Sequence, residues 1–485
     1  MLAAIDMGSN SFRLQIGEYM DGAIRVVRTA REPNRLAAGL DQNNYLTDAA
    51  MRGGVDALRN LRAVLDLYPL SLIRAVATNT LRIAINAPDF LAQAEEALGY
   101  PIEVISGEEE GRLVYLGVDN FLAAPDEHRI VIDIGGGSTE IIRGKGEEIE
   151  RVESFSVGTV GQSMTFFSDG RLTPEGFDAA ILSARSHFED VKSHYRRRNR
   201  QTVAYGSSGT MRAIAEIIAG NSIGDGRLTG KNLDLLRQHM IEAGRISRLD
   251  MPELRPGRAA SVIGGLSILI ALMRDLDIPV MHTVESGLRM GIMWDLCLQS
   301  TEQDRREQSV HRFLQRYGAD RKRANQVADF ASALYEKMSP DSDAYKKQLR
   351  WSALMHEVGM FISSTNYHKH GAYLVENADL AGFTAREQKR MGRLILAQKG
   401  NLRKLNGIFS DPDAIKAVLA MRLAVMFMHA RAQVDIDAVH FQIKKRLEIA
   451  MPKKWLKRYQ TLSYWLERER NWWAEMGISL LIRES

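Results

Sequence analysis

One cysteine, Cys297, stands in 485 residues. A single thiol can form neither an intramolecular disulfide nor a cysteine zinc cluster, which argues against redox chemistry and for a reducing compartment. Proline is also scarce, with 12 residues against 39 glycines. Together with 45% hydrophobic and 26% charged residues this excludes collagen-like, low-complexity and disordered chains. Long apolar runs are missing as well: residues 266–273 and 417–430 are the most apolar, and both are too short or, at Arg422, too interrupted for the roughly 20 residues of a membrane-spanning helix. The opening residues, Met1-Leu-Ala-Ala-Ile-Asp6, lack the basic stretch and apolar core of a secretory signal, so a cytoplasmic location is expected. The net charge of +4 is unevenly spread. Residues 1–300 carry 32 Lys and Arg against 39 Asp and Glu, while residues 301–485 carry 32 against 21. An acidic part suits metal-assisted chemistry and a basic part suits a polyanion, with mutual attraction of the two as the simpler alternative.

The length implies three or four domains. Apolar, β-rich runs at 2–5, 73–77, 102–105, 130–134, 203–205 and 280–284 alternate with helical patterns at 48–67, 89–98, 174–197 and 231–245, the mark of α/β layers. A polar stretch near 298–306 separates this part from a mainly helical one reaching about residue 432. After it come strand-like 439–443 and 447–450, a Trp-rich helix over 453–473 and a last apolar run at 478–482. The expected divisions are 1–120, 121–300, 301–432 and 433–485.

Two segments repeat one pattern: Ile5-Asp6-Met7-Gly8-Ser9-Asn10-Ser11 and Ile132-Asp133-Ile134-Gly135-Gly136-Gly137-Ser138-Thr139-Glu140. Each is a strand, an Asp, a glycine turn and hydroxyls. Such a turn aims backbone N–H groups and hydroxyls at a phosphate while the carboxylate reaches a metal or its water, and two of them can grip a phosphate chain from both sides. A third turn, Gly206-Ser207-Ser208-Gly209-Thr210, ends a strand and opens a helix, whose N-terminus favours anions.

These motifs, with Ala77-Thr-Asn-Thr-Leu-Arg82 and Ile105-Ser-Gly-Glu-Glu-Glu-Gly-Arg-Leu113 between them, resemble the exopolyphosphatase/guanosine pentaphosphate phosphohydrolase family of the sugar kinase/actin superfamily. The resemblance implies a duplicated α/β actin-like fold, then an α-helical HD-like domain and a small C-terminal α/β tail. It implies removal of the terminal phosphate of inorganic polyphosphate by an activated water, assisted by Mg2+, in a homodimer. Glu110 would be the base, and Asp6, Asp133 and Glu140 the metal ligands. Ser9, Asn10, Ser11, Arg82, Gly135, Gly136, Gly137 and Ser138 would contact phosphate, with the loop Gly206 to Thr210 as a secondary phosphate or nucleotide site. Three consecutive Glu would otherwise read as a solvated first helical turn.

In the helical part the resemblance expects an HD metal pair, but His356 is followed by Glu357 and not Asp, so metal is not expected there. His311, His368 and His370 read as polar or core residues. Trp455, Trp465, Trp472 and Trp473 read as packing residues beside Lys453, Lys454, Lys457 and Arg458, and the run Arg196 to Arg200 as a solvated helix end. Guanosine pentaphosphate is the alternative substrate. A sugar or carboxylate kinase and a non-enzymatic actin-like scaffold are the rival functions, each distinguished by assay. Nucleic acid and membrane are not expected as partners.

Overall fold

The structure is a computed structural model and describes residues 1–485 other than 21, 123, 191, 196–201, 300–304, 379, 381, 384, 406, 432–434, 444–445 and 485. The chain divides into two compact units, Met1–Asp304 and Arg305–Ser485.

The first unit holds two five-stranded sheets of identical topology. Strands β1 (Leu2–Met7), β2 (Ser11–Met20), β3 (Ala23–Pro33), β4 (Leu72–Ala77) and β5 (Ile102–Val104) lie in the order β3-β2-β1-β4-β5. Strands β6 (His128–Ile134), β7 (Thr139–Lys145), β8 (Glu148–Phe155), β9 (Val203–Gly206) and β10 (Met281–Thr283) lie in the order β10-β9-β6-β7-β8. In each, the first three strands form an antiparallel meander, and the first strand also pairs in parallel with the fourth, and the fourth with the fifth. The duplicated fold that the resemblance implies is therefore a duplication of topology.

Central strands β1 and β6 are apolar on both faces because helices cover both sides, as parallel pairing requires. Each sheet has its own core: Ile5, Phe12, Leu58 and Phe90 under the first, Ile132, Phe177, Phe188 and Leu266 under the second. Thr47, Thr173 and Ser208 cap the helices Asp48–Leu65, Pro174–Phe188 and Gly209–Gly220, accepting from the backbone N–H three residues on. Two further helices, Gly107–Leu122 and Leu288–Gln299, cross at near backbone contact. A Cβ on Gly117 would strike the Gly287 carbonyl, and one on Gly291 the Leu113 carbonyl, so only glycine permits this crossing.

The second unit is mainly helical around a core that includes Leu349, Leu394, Met421 and Trp473. It ends in a three-stranded sheet of β11 (His440–Ile443), β12 (Leu447–Met451) and β13 (Leu480–Glu484), with β12 antiparallel to β11 and parallel to β13.

Three expectations need correction. The helix expected over 174–197 stops at Phe188, where Glu189 and Asp190 put negative charge at a helix C-terminus that disfavours it, and a short helix Lys192–Tyr195 follows. The helix expected over 453–473 breaks at Tyr459, whose backbone (φ −108°, ψ 72°) is not helical, giving Lys453–Arg458 and Gln460–Ala474. Strands β3 and β8 escaped the sequence pattern because both are largely solvated sheet edges without apolar alternation. The run Arg196 to Arg200 lies outside the described residues. Among the described residues no helix is long and apolar enough to cross a membrane.

Candidate active site

The repeated turns join β1 to β2 and β6 to β7 with the same register: Met7 pairs with Phe12 across the first, Ile134 with Thr139 across the second. Each spans four residues. The turns meet one another: a Cβ on Gly136 would sit 3.1 Å from the Ser9 Cβ and 3.0 Å from the Asn10 amide nitrogen, and one on Gly137 would collide with Asn79. Glycine thus lets the backbone of the second turn approach the side chains of Ser9, Asn10 and Asn79 closely. Ser9 accepts from Thr80 Oγ1 at 2.9 Å, which ties the first turn to the Thr78–Arg82 segment, while the Gly135 N–H closes the second turn on the Ser138 carbonyl at 2.9 Å. The third loop joins them through Ser207, whose Oγ donates to Asp133 Oδ2 at 2.7 Å, and Ser208 caps the helix that starts at Gly209.

One step into each hairpin the two repeats diverge. Asp6 is paired across the ladder with Arg13, Asp133 with Glu140. Glu140 is buried and accepts from Ser154 Oγ at 2.7 Å. Glu110 stands in the first turn of the Gly107–Leu122 helix with its side chain 13% exposed, and Arg82 Nη1 donates to its Oε2 at 2.9 Å and to the Ile105 carbonyl at 3.0 Å. Arg82, expected on phosphate, holds Glu110 in this structure. Glu109, its neighbour, is 1% exposed and gripped by Arg112 through both carboxylate oxygens, at 2.7 and 2.8 Å, so it is turned away from service as a base.

All four carboxylates protonate more readily than in water. Burial pushes Glu110 up to about 7, opposed by Arg82 and reinforced by Asp6 and Asp133. Burial also raises Glu140 well above the carboxylate range, with Glu110 and Asp133 adding to it and the Ser154 and Ser138 hydroxyls opposing. Asp133 rises by burial against the Ser207 hydrogen bond, and Asp6 by burial against Arg289 and Arg13. Crowded, desolvated carboxylates are the donor set a hard cation relieves. The expected trio of Asp6, Asp133 and Glu140 does not form a finished cage, however: among the described residues no three Asp, Glu, His or Cys side chains converge so as to hold a metal ion. The reason is topological. Asp133 and Glu140 are neighbours on one sheet, and Asp6 belongs to the other. A divalent cation at such a pair of carboxylates would have to take its remaining oxygens from phosphate and water.

Six arginines complete the surroundings, none of them singled out from the sequence. Arg289 lies 3.9 Å from Asp6 and donates from Nε to Gln15 at 3.2 Å. Arg13 and Arg212 act on both Asp133 and Arg289. Arg13 faces Arg31 directly across β2 and β3, and Arg258 donates from Nη2 to the Gly209 carbonyl at 2.9 Å. Burial and the repulsion of Arg13, Arg31 and Arg255 hold Arg258 below the usual arginine range, with Glu216 only partly opposing. Such unrelieved positive charge is the condition that a polyanion removes. Arg13 alone had a signal in the sequence, as the mirror of Asp6 about its turn.

In the helical unit His356 is fully buried, and burial pushes it down to about 3. Its Nδ1 lies 2.7 Å from the Ala353 carbonyl, and Glu357 pairs with Arg323 at 2.9 Å. Trp455 and Trp473 pack inside as expected, whereas Trp465 is exposed and stacks on Trp472. His368 is buried and His311 pairs loosely with Glu307.

The solved structure of the Aquifex aeolicus PPX-GPPA enzyme is similar to this chain with 25% identity and a TM-score of 0.51, over 60% of this chain and 97% of that one. An exopolyphosphatase from Cytophaga hutchinsonii shares the fold with 21% identity and a TM-score of 0.56, over 62% and 98%. Residues 16–300 match the Ppx/GppA phosphatase family and residues 305–470 match domain III of the Ppx/GppA phosphatases, and with that this chain belongs to the Ppx/GppA phosphatase family.

Proposed function

We propose that the protein is an exopolyphosphatase that hydrolyses the terminal phosphate of inorganic polyphosphate. The observation that carries this reading is Glu110, raised to about 7 and held by Arg82 beside two facing Gly/Ser turns. A base of that pKa is about half ionised at neutral pH and basic enough to take a proton from water. Attack of water on a terminal phosphorus depends on positioning and charge neutralisation, which suits amides, hydroxyls and arginines and needs no nucleophilic side chain.

In this reading Ser9, Asn10, Ser11 and Gly135 to Ser138 bind the terminal phosphates, and Glu110 orients and deprotonates the water. Asp6, Asp133 and Glu140 are the carboxylates that would hold magnesium or its water shell, and the ion would supply charge neutralisation at the phosphate. The arginines Arg13, Arg31, Arg255 and Arg258 attract the rest of the polyanion. The helical part is read as an HD-like fold in which His356 and Glu357 serve structure. Phosphate release from polyphosphate and from guanosine pentaphosphate, measured side by side with and without chelator, tests the reading. Turnover of polyphosphate abolished by chelation and restored by magnesium is expected; faster release from guanosine pentaphosphate reverses the substrate assignment.

A further inference from the structure

Four charged side chains, Arg74, Glu109, Arg112 and Asp295, lie in the interior of the first unit, none more than 6% exposed. Arg112 joins Glu109 through two bonds and Asp295 at 2.7 Å. Arg74 reaches Asp295 at 2.7 Å, Glu109 at 3.5 Å and the partly exposed Glu103 at 3.0 Å. Burial on its own would make both guanidiniums easier to deprotonate, but the carboxylates outweigh it and hold both above the ordinary arginine range. A buried ion cluster of this kind is a poor source of stability, because desolvation cancels most of the attraction and apolar residues of like volume serve as well. Its use lies in what it aligns.

The three elements it joins each carry a residue of the candidate site. Arg74 is on β4, which runs on to Arg82. Glu109 immediately precedes Glu110, and Asp295 shares a helix with Arg289. On a helix, neighbouring residues point about 100° apart. Glu109 can therefore be anchored inside while Glu110 faces Arg82. The glycine crossing at Gly117 and Gly291 fixes where the two helices touch, but glycine has no side chain to stop rotation. With a carboxylate about 6 Å from the helix axis, a rotation of about 10° moves it by about 1 Å, an error that costs on the order of 100-fold in rate.

We propose that the Arg74–Glu109–Arg112–Asp295 cluster positions Glu110, locking the rotation of the Gly107–Leu122 helix against β4 and the Leu288–Gln299 helix so that the base stays in register with Arg82. The inference rests on Glu110 being the base. Glu109→Gln and Asp295→Asn keep shape and remove one charge each. In the full chain, with tripolyphosphate and magnesium, each lowers kcat by about 30- to 100-fold and changes KM by less than about 3-fold. Because the cluster acts through Glu110, adding Glu109→Gln to Glu110→Gln costs less than about 3-fold more. A folded Glu109→Gln and a folded Asp295→Asn, both with kcat within about 3-fold of wild type, overturn the proposal, as do losses that multiply in the double variant. If neither variant folds, Arg112→Lys, which keeps the charge but lacks the fork, carries the same kcat test. An inactive wild type or a fully active Glu110→Gln removes the base itself, an outcome distinct from an impaired Glu110→Gln beside unimpaired cluster variants.

Discussion

Asp6 and Asp133 occupy the same position in two copies of one hairpin, yet their ladder partners are Arg13 and Glu140. One change of charge sets an arginine beside the carboxylate of the first hairpin and a second carboxylate beside that of the second. Glu110 sits between these demands, and its titration yields a first prediction. A base must be ionised, so kcat/KM on polyphosphate should fall about tenfold per pH unit below about 7 and level off above it. Glu110→Gln should lower turnover by about 100-fold or more at every pH while substrate binding persists, as measured by phosphate release and equilibrium binding. Stability runs the other way. The folded value is raised from 4.5 to about 7, so the contribution of this group is fully present below pH 4.5 and is lost as pH rises through 7. Without metal, Glu110→Gln should melt above wild type at pH 8, and the difference should close near pH 4.5.

At the scale of elements, the meeting of the two turns sets the site, and it depends on missing side chains. Gly137→Ala drives a methyl into Asn79 and within 3.0 Å of Ser9 Oγ, parting the turns. Activity should drop by about 100-fold with a KM rise, while the two cores, remote from the turn, keep the melting temperature within a few degrees. Strand β3 carries the opposite kind of strain. Arg31 faces Arg13 across the ladder, and like charges directly opposite repel. Arg31→Ala should leave thermal stability unchanged or raise it by about 0.5 kcal/mol, while affinity for long polyphosphate falls about 3- to 10-fold at low salt and its salt dependence becomes shallower. In the helical unit, replacing His356 and Glu357 together should leave the magnesium requirement of hydrolysis unchanged, although it empties part of a buried core and lowers the melting temperature. A transition metal lost together with activity in that variant, detected by elemental analysis, would place a second active site there.

For the whole molecule, the division at Asp304 separates a unit with both turns and two cores of its own from a basic helical unit. Residues 301–485 carry 32 Lys and Arg against 21 Asp and Glu. A chain of residues 1–304 should still hydrolyse tripolyphosphate but lose its advantage on chains of hundreds of phosphates, since a long polyanion gains affinity from each counterion its cationic partner releases. Long-chain affinity and salt dependence that survive truncation would mean that the arginines around Arg13 and Arg258 hold the polymer unaided.

The sequence by itself determined what is local. An Asp at the end of an apolar strand, followed by glycines and hydroxyls, marked both turns, because hairpin geometry depends on a few adjacent residues, while the duplicated fold came from the family resemblance. The family resemblance named Glu110 among three consecutive Glu. Tertiary structure decided which of those three turns inward, since helical neighbours differ by direction alone and only pairing with Arg112 and Arg74 assigns Glu109 to the interior. It also gathered Arg31, Arg255, Arg258 and Arg289 from segments more than two hundred residues apart, and it brought Asp6 and Asp133, from two different sheets, within electrostatic reach of Glu110. Charges brought together by folding leave no spacing in the chain to read. Their effect on one another falls off with distance in space, which the order of residues does not encode.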